Sequence, residues 1–444
     1  MSKNDINSSN DNNELFWISN ETQLTQNLCD DCKDTYCKGN EPIKQENGDN
    51  ISKKQFETLI RNQTIQFINK GFDNIVVLVG AGASVIDNKF EKDEKGFAKS
   101  GVTVSQIAEE ILNQLDNKTY QLRSPNKTTT ENVDVFTLEE ISKKSKYLDN
   151  IIKDKKNPSE KSKKLRDDFN LEELLSNVFL YEKFVSEKDK KKFINTRKAI
   201  MDIIIKSTSY DYDDNRFNHA KFLNILSRLK KREHKLNIVT TNYDTLLEDA
   251  AEKINWTVFD GFSFSQTPKF DSSMFDWNMV KTVPNVKTNE KIYKSNVANL
   301  LKIHGSITWT KSESGENILR KNKRSVESPV MIFPSSNKYE KSYQEPYFDL
   351  FHKFQELLHQ PNTLLITTGF SFADNHIARM ITSAIKTNDE LSILITNYDI
   401  KNENSNENFI EIKREMKNFY NIAFLRATMN DNLTYYMGGT YDKD

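Results

Sequence analysis

Four short apolar runs, each ending in glycine or polar residues, constrain the fold of this chain more than any other feature. Short runs of β-branched residues and leucine are typical of central parallel strands, which helices cover on both faces. The runs and their turns are residues 75–79 before Gly80-Ala81-Gly82-Ala83-Ser84, 236–240 before Thr241-Asn242-Tyr243-Asp244, 300–303 before His304-Gly305-Ser306, and 364–368 before Gly369-Phe370-Ser371. We therefore expect an α/β fold with a doubly wound, Rossmann-like, mostly parallel sheet that carries helical insertions.

The polar turns are expected to lie together, because parallel strands end at one edge of a sheet and ligands bind there. One strand end supplies the hydroxyl, carboxamide and carboxylate groups of Thr240, Thr241, Asn242 and Asp244. A purely structural role is the alternative, in which Asp244 caps the next helix and Asn242 bonds strand-end amides. A cap needs only one polar residue, so the presence of four polar residues at this strand end favours binding and catalysis.

The glycine turn after the first strand also has two interpretations. Glycines let backbone amides approach a phosphate at the start of a helix, but a tight strand-to-helix turn needs glycine for steric reasons even without a ligand. Its position after a buried strand favours a phosphate loop formed by Gly80, Ala81, Gly82 and Ser84. The dehydrogenase fingerprint is incomplete, because a third glycine is missing and no second strand ends in an acidic residue about 20 positions on. Hydride transfer is therefore disfavoured.

His304 is the histidine most suited to chemistry, because it ends a strand and precedes a glycine. A lone histidine is usually a hydrogen-bonded structural group, but at this position its ring is expected to face the pocket.

The remaining chain divides by composition. Residues 1–50 are rich in Asn, Asp, Ser and Lys and are expected to form a flexible or partner-ordered arm. Residues 51–400 are expected to form the ligand-binding domain, with a lysine-rich, helical insertion at about 117–230, and residues 401–444 a C-terminal extension of it. Amphipathic patterns predict helices over 53–70, 104–115, 346–359 and 375–386, and apolar runs predict further strands over 330–334, 391–396 and 422–426.

Charge and hydropathy exclude several kinds of partner. The 63 basic and 64 acidic residues nearly cancel, so global charge indicates neither nucleic acid nor membrane. The lysines of residues 143–164 alternate with acidic residues, which favours a solvated helical face over direct nucleic-acid binding. No run approaches the ~18 apolar residues of a membrane helix, and the first residues lack the apolar core of a signal peptide. We expect a cytoplasmic protein without membrane contact.

Three cysteines, Cys29, Cys32 and Cys37, are the only ones in the chain. Their number excludes a disulfide-built secreted fold. Cys-x-x-Cys offers two thiolates, but structural zinc generally takes four ligands and no histidine lies near. Reduced thiols, or half of a site completed by another chain, are favoured over a zinc site, and no metal is predicted.

The four turns, in this order and with Gly-Phe-Ser-Phe-x-Asp at the last, resemble those of the sirtuin superfamily. They are most similar to the sirtuin-like NAD-hydrolysing effectors of bacterial antiviral defence, over roughly residues 74–397. By this resemblance NAD is the substrate, Asn242 and Asp244 lie near the nicotinamide and its ribose, and His304 is catalytic. The resemblance places the phosphates on the glycine loop. It also assigns Gly369 and Ser371 to phosphate or ribose and Asn397 to the adenine ribose.

Two departures from sirtuin deacylases argue against protein deacylation. The two Cys-x-x-Cys pairs that follow the His-Gly motif in deacylases are missing here, as is their Asp-Phe-Arg segment. The expected activity is hydrolysis of NAD to nicotinamide and ADP-ribose, in an antiphage effector that depletes NAD. The alternatives are an ADP-ribosyltransferase or deacylase that uses the same pocket, and a non-catalytic sensor of NAD or ADP-ribose. The resemblance also implies a homo-oligomer that works with a hexameric DNA-translocase-type ATPase or another defence-operon partner.

The chemistry suits these residues. Breaking the nicotinamide–ribose bond expels a neutral base from a pyridinium, so no general acid is required. The protein must instead position the substrate, stabilise an oxocarbenium-like sugar and present water. Asn242 and Asp244 offer the positioning groups, and a histidine with an ordinary pKa near 6.5 accepts a proton at neutral pH.

Overall fold

The computed structural model describes residues 13–27, 35–86, 90–123, 130–153, 163–166, 168–283, 291–326, 328–331, 346–401, 406–418 and 421–440. Cys29 and Cys32 lie outside this part of the chain. Within it, no helix combines the length and apolar character needed to cross a lipid bilayer.

The secondary structure alternates between strands and helices over most of the chain. The strands are β1 (Asn13–Ser19), β2 (Gln23–Asn27), β3 (Thr35–Lys38), β4 (Glu41–Pro42), β5 (Asn74–Val79), β6 (Thr119–Arg123), β7 (Thr130–Asp134), β8 (Leu236–Thr240), β9 (Thr257–Phe259), β10 (Val280–Thr282), β11 (Lys291–Tyr293), β12 (Val297–Lys302), β13 (Trp309–Lys311), β14 (Ile318–Arg320), β15 (Thr363–Thr368), β16 (Leu391–Asn397) and β17 (Ile422–Arg426). The α-helices are α1 (Lys53–Ile68), α2 (Val104–Leu115), α3 (Leu138–Lys144), α4 (Leu171–Tyr181), α5 (Glu187–Thr208), α6 (His219–Leu229), α7 (Leu246–Lys253), α8 (Tyr347–Leu358), α9 (Asn375–Thr387), α10 (Glu407–Glu415) and α11 (Leu433–Tyr436).

Eleven strands form one sheet in the order β4-β3-β2-β1-β17-β16-β15-β5-β8-β12-β9. The seven strands from β17 to β9 are parallel. After β5 the chain builds one half of the sheet with β8, β9 and β12, and it then crosses to build the other half with β15, β16 and β17. This order confirms the doubly wound, mostly parallel α/β fold. Its topological switch point, where such sheets bind ligands, lies between β5 and β15.

Alternate residues of the central strands enter cores on the two faces of the sheet. Val77 and Ile238 face a core shared with α1, α6, α7 and α11. Val76 and Val239 face a second core shared with α8, α9 and α10. Burial on both faces explains why these strands are continuous apolar runs rather than alternating ones.

Helices α2 to α5 and the hairpin of β6 and β7 form a separate packed unit, here called the helical module, with its own apolar core. A capping box between Thr103 and Gln106 starts α2 at the predicted residue. The predicted limits of the insertion, about 117–230, are wrong at both ends. Helix α2 belongs to the helical module, whereas α6 packs on the sheet through residues such as Phe222 and Leu223. Amphipathic periodicity shows that a helix has an apolar face but not which core that face enters.

The prediction of a flexible arm over residues 1–50 is wrong for the described parts of this segment. Strands β1 to β4 form an antiparallel meander that extends the main sheet, and β1 pairs antiparallel with β17. Trp17 packs edge-on against Phe67, and Glu14 forms an ion pair with Arg426 at 2.6 Å. The polar composition misled the prediction, because the apolar surface that these strands bury comes from residues distant in sequence.

The later elements follow the predictions closely. Helices α8 and α9 and strands β16 and β17 differ by at most one residue at each end from the predicted ranges. Only Met331 of the strand predicted over 330–334 makes a described bridge, to Gly305, and residues 332–334 lie outside the described part. The tail after residue 401 contributes β17 to the sheet and α11 to a core of the same sheet.

Trp17 tests whether the N-terminal meander is part of the cooperative fold. Its side chain is 1% exposed, so Trp17→Ala should lower the free energy of unfolding by about 3–5 kcal/mol. Trp277, which is 65% exposed, is the matched control, and Trp277→Ala should change stability by less than about 1 kcal/mol. Urea unfolding followed by far-UV circular dichroism measures both. Equal losses would show that the meander does not stabilise the domain.

Candidate active site

A cleft of about 800 Å³ opens at the carboxyl edge of the sheet, between the turns that follow β5, β8, β12 and β15 and the helical module. It is large enough for a dinucleotide-sized ligand. The predicted residues that line it are Ala81, Ser84, Thr241, Asn242, Asp244, His304, Gly369 and Ser371. Turns that are far apart in sequence therefore meet around one cleft, and Asn242 and His304 both face it.

Asn242 is buried and held by two hydrogen bonds from its side-chain nitrogen. Nδ2 donates to the carbonyl oxygen of Gly80 and to Oγ of Ser84, both at 3.0 Å. Because a carbonyl can only accept, the bond to Gly80 fixes which end of the carboxamide is nitrogen. Its Oδ1 is buried and accepts no hydrogen bond from the described residues.

Asp244 is the centre of a buried hydrogen-bond network. Its Oδ2 accepts from Ser84 Oγ at 2.7 Å and from the hydroxyl of Tyr210 at 2.6 Å, and its Oδ1 accepts from the amide of Leu246 at 3.1 Å. The purely structural role considered for Asp244 is therefore present in part, because its carboxylate accepts a hydrogen bond from the first residue of α7. The same carboxylate also holds Ser84, which in turn accepts from Asn242.

Tyr210 was missed by the sequence analysis. It follows α5 of the helical module, lines the cleft and stacks on Phe217. Burial, together with the charge of Asp244, raises its pKa well above the ordinary value, so its hydroxyl stays protonated and donates to the carboxylate. No motif in the local sequence marks this tyrosine, because its partner is 34 residues further along the chain.

The glycine turns after β5 and β15 pack directly against each other. The amide of Gly82 donates to the carbonyl of Gly369 at 2.9 Å, and the amides of Ala83 and Ser84 donate within their own turn. Gly369 has φ +63, and a Cβ placed there would lie 2.1 Å from the amide nitrogen of Ala83. The steric interpretation therefore accounts for Gly80, Gly82 and Gly369. The amides of Gly82, Ala83 and Ser84 already have protein acceptors in this arrangement, and the phosphate role of the loop stays a prediction.

Thr240 and Asn397 do not line the cleft. Thr240 donates from Oγ1 to the carbonyl of Val79 at 2.9 Å and accepts from the amide of Asn242 at 3.0 Å, so it holds the ends of two strands together. The carbonyl of Asn397 accepts from the amide of Ala427 at 2.9 Å, next to β17. Within the described residues, the structure does not bring Asn397 to the group formed by Asn242 and His304.

His304 lies beside Asp374, a second residue whose role the sequence analysis missed. Nε2 of the ring is 3.1 Å from Oδ2 of Asp374, which is within ion-pair distance but does not have hydrogen-bond geometry in this arrangement. Asp374 follows the Gly369 turn and caps α9 through its other oxygen. Its place in the Gly-Phe-Ser-Phe-x-Asp motif was the available signal, and the resemblance assigned it no function.

The walls of the cleft differ in character. The helical module contributes the apolar residues Val102, Val104, Ile107, Ala108, Phe169 and Leu171. Among the described lining residues, Arg379 is the only lysine or arginine, and the carboxylates are Glu172, Glu173, Asp244 and Asp374. Negative charge at this edge favours a cationic ligand group, and the apolar wall suits a flat ring.

A buried lysine supports the turn that carries Asp244. Lys302, the last residue of β12, is almost completely buried, donates to the carbonyl of Asp244 and pairs with Glu248 at 2.9 Å. Burial raises the pKa of Glu248, while the charge of Lys302 opposes that shift. The pair links β12 to the start of α7 and so stabilises the turn between β8 and α7.

Comparison with known proteins gives one sequence match. Residues 236–420 match the SIR2-like domain, a region that includes Asn242, His304 and Gly369 but not the turn after β5. No curated protein matches the chain. A solved structure described as "Structural Basis for the Mechanism and Regulation of Sir2 Enzymes" matches at 12% identity and a TM-score of 0.37, over 85% of this chain and 95% of that one. The fold of this chain is defined by its own strand order and directions.

Gly369 tests the contact between the two glycine turns. Gly369→Ala adds a Cβ against backbone atoms at positive φ, so it should lower the free energy of unfolding by about 3 kcal/mol or more. Gly315 also has positive φ but nothing within 4 Å, and Gly315→Ala should cost only about 1–2 kcal/mol. Urea unfolding of both variants gives the comparison. Similar losses would mean that the turns are not in contact.

Tyr210 tests the network around Asp244. Tyr210→Phe removes one donor to a buried carboxylate and should cost about 1.5–3 kcal/mol of stability. Tyr212 stacks on the same Phe217 ring, but its hydroxyl bonds neutral backbone groups, since it donates to the carbonyl of Phe217 and accepts from the amide of Ala220. Tyr212→Phe removes the bonds to these neutral groups and should cost only about 0.5–1.5 kcal/mol. Thermal and urea unfolding measure the difference. A smaller loss for Tyr210→Phe than for Tyr212→Phe would contradict the network.

Proposed function

We propose that this protein hydrolyses NAD to nicotinamide and ADP-ribose in the cleft between the sheet edge and the helical module. The observation that carries the proposal is the hydrogen bonding of the Asn242 side chain. Its nitrogen is fixed by two bonds, and its buried oxygen accepts no hydrogen bond from the described residues. An unpaired buried acceptor costs about 1–3 kcal/mol, and a donor on a bound ligand would remove that cost.

NAD offers such donors together with the charge distribution that the cleft favours. The carboxamide of nicotinamide and the hydroxyls of its ribose can each donate a hydrogen bond to Oδ1 of Asn242. The pyridinium is cationic, which suits the carboxylates Glu172 and Glu173, and its flat ring suits the apolar wall. Arg379 is the side chain placed to hold the diphosphate, since the amides of Gly82 and Ala83 are engaged elsewhere.

The reaction divides into tasks that these residues can perform. The C–N bond between nicotinamide and ribose breaks with its electron pair leaving on the neutral nicotinamide, and a water oxygen bonds to the sugar carbon. One proton of that water is released, and His304 is the group at the cleft able to accept it. Asn242 orients the reacting end of the substrate. Asp244, whose two oxygens are both engaged by protein donors, holds Asn242 in place through Ser84.

The resemblance of the four turns and the match of residues 236–420 to the SIR2-like domain support NAD as the substrate. We further propose an antiphage role, in which the protein depletes NAD as a homo-oligomer that works with a hexameric DNA-translocase-type ATPase or another defence-operon partner. This part rests on the resemblance alone. Infected cells that carry the gene should lose NAD before lysis, and cells with Asn242→Ala should keep it.

NAD hydrolysis can be tested directly with the full-length protein. Incubation with NAD in ¹⁸O-labelled water should release nicotinamide and place one ¹⁸O atom in ADP-ribose. Asn242→Ala and His304→Gln should each lower the rate by about 100-fold or more, because each removes a positioning or proton-transfer group. Chromatography of nicotinamide and mass spectrometry of ADP-ribose measure both effects.

The matched controls are Asn224→Ala, on the exposed face of α6, and His359→Gln, after α8. Both should keep the rate of the unmodified protein. Tight NAD binding without nicotinamide release, in the presence of acceptor proteins and infected-cell extract, would instead favour a sensor. Release that requires an acylated or other acceptor protein would favour a deacylase or transferase.

A further inference from the structure

Asp374 occupies a position that links two parts of the active cleft. It is the N-cap of α9, where Oδ1 accepts from the amides of His376 at 3.0 Å and Ile377 at 3.3 Å. Its other oxygen, Oδ2, lies 3.1 Å from Nε2 of His304. The side chains of His304 and Asp374 are only 4% and 7% exposed, so the pair is shielded from solvent.

We infer that Asp374 is the positioning residue of His304, an assignment that rests on the proposed NAD hydrolysis. A carboxylate 3.1 Å from Nε2 favours a proton on that nitrogen and draws that side of the ring toward Asp374. It also stabilises the imidazolium that forms when His304 accepts a proton. Asp374 does not touch the reacting atoms and acts through the histidine.

Helix capping alone does not explain a carboxylate at this position. Thr103, Asn170 and Asn406 cap other helices of the chain with neutral side chains. A cap also uses only one acceptor atom, and Oδ1 serves α9. Burying a charged carboxylate is unfavourable unless it is paired, and His304 is the ionisable side chain that lies within ion-pair distance of Oδ2.

Several other titratable groups lie near His304 in the described part of the chain. Burial raises the pKa of Tyr243 and Tyr347 well above the ordinary value, so both stay neutral at working pH. Phe351 of α8 lies 6.5 Å from the His304 ring and carries no charge. Among the described residues, the other ionisable groups that line the cleft with His304 and Asp374 are Glu172, Glu173, Tyr210, Asp244, His376 and Arg379, and Lys302 nearby is paired with Glu248.

The position of the pair also fits a role in holding the site together. His304 follows β12 in one half of the doubly wound sheet, and Asp374 follows β15 in the other. Their contact therefore holds the histidine relative to the Gly369 turn.

The test compares Asp374→Asn with the unmodified protein by two independent measurements. Asparagine caps helices well, so the fold should be retained. In ¹⁵N-histidine NMR spectra, with His304 assigned from the missing signals of His304→Gln, the His304 titration midpoint should fall by about one pH unit or more. Steady-state hydrolysis should show kcat lower by about 100-fold, with the KM for NAD changed less than threefold.

Two further variants complete the design. Asp271 caps the short helical turn at residues 272–276, away from the cleft, and Asp271→Asn should change neither the His304 signals nor kcat. Asp374→Glu restores the charge and should recover part of the titration shift and of kcat. His219, whose burial lowers its pKa to about 4, provides an internal reference signal that should not move.

The outcomes separate this inference from the proposed reaction. If the unmodified protein hydrolyses NAD and Asp374→Asn does so at the same kcat with an unchanged His304 midpoint, Asp374 is only a cap and the inference is wrong. If the His304 midpoint falls but the unmodified protein releases no nicotinamide under any condition, the pairing stands and the proposed reaction is wrong. A midpoint that falls together with kcat supports both.

Discussion

The direct contact between the glycine turns after β5 and β15 is the constraint on which the rest of the site depends. These strands flank the switch point of the sheet, and the Gly82 amide bonds the Gly369 carbonyl across it. Any side chain at Gly369 would overlap the backbone of Ala83. The contact brings the Ser84 end of one turn and the Asp374 end of the other to one cleft, and β8 and β12 then add Asn242 and His304.

Two buried carboxylates organise that cleft, and each links a catalytic candidate to a different part of the fold. Asp244 holds Asn242 through Ser84 and receives a second donor, Tyr210, from the segment that follows α5. Asp374 lies beside His304 and caps α9. Burying a carboxylate is unfavourable without hydrogen-bond donors. Asp244 and Asp374 are therefore stable in these positions only when the elements that carry their partners are assembled. The segment that follows α5 therefore connects the helical module to the network behind Asn242, because its Tyr210 donates to Asp244.

Sequence analysis located the central strands and their turns closely and was wrong where packing partners are distant. Val104–Leu115 was predicted at its observed limits because its cap and its apolar stripe are both local. The N-terminal meander was missed because β1 is completed by β17, about four hundred residues later, and a polar composition conceals strands with such a partner. Tyr210 and Asp374 were overlooked as site residues for the same reason, since their partners come from other elements.

The sequence by itself determined the α/β class, the parallel central strands and the polar turns on the sheet side of the cleft, because apolar runs and strand-end turns are local patterns with strong geometric consequences. Only the tertiary structure decided which polar groups remain available for a ligand. The amides of Gly82, Ala83 and Ser84 donate to backbone carbonyls of the two glycine turns, and Asp244 accepts three hydrogen bonds in a buried network. Oδ1 of Asn242 was left without a protein donor among the described residues. Hydrogen bonding depends on atoms brought within about 3 Å of each other, and no pattern within one segment specifies which distant atoms those are.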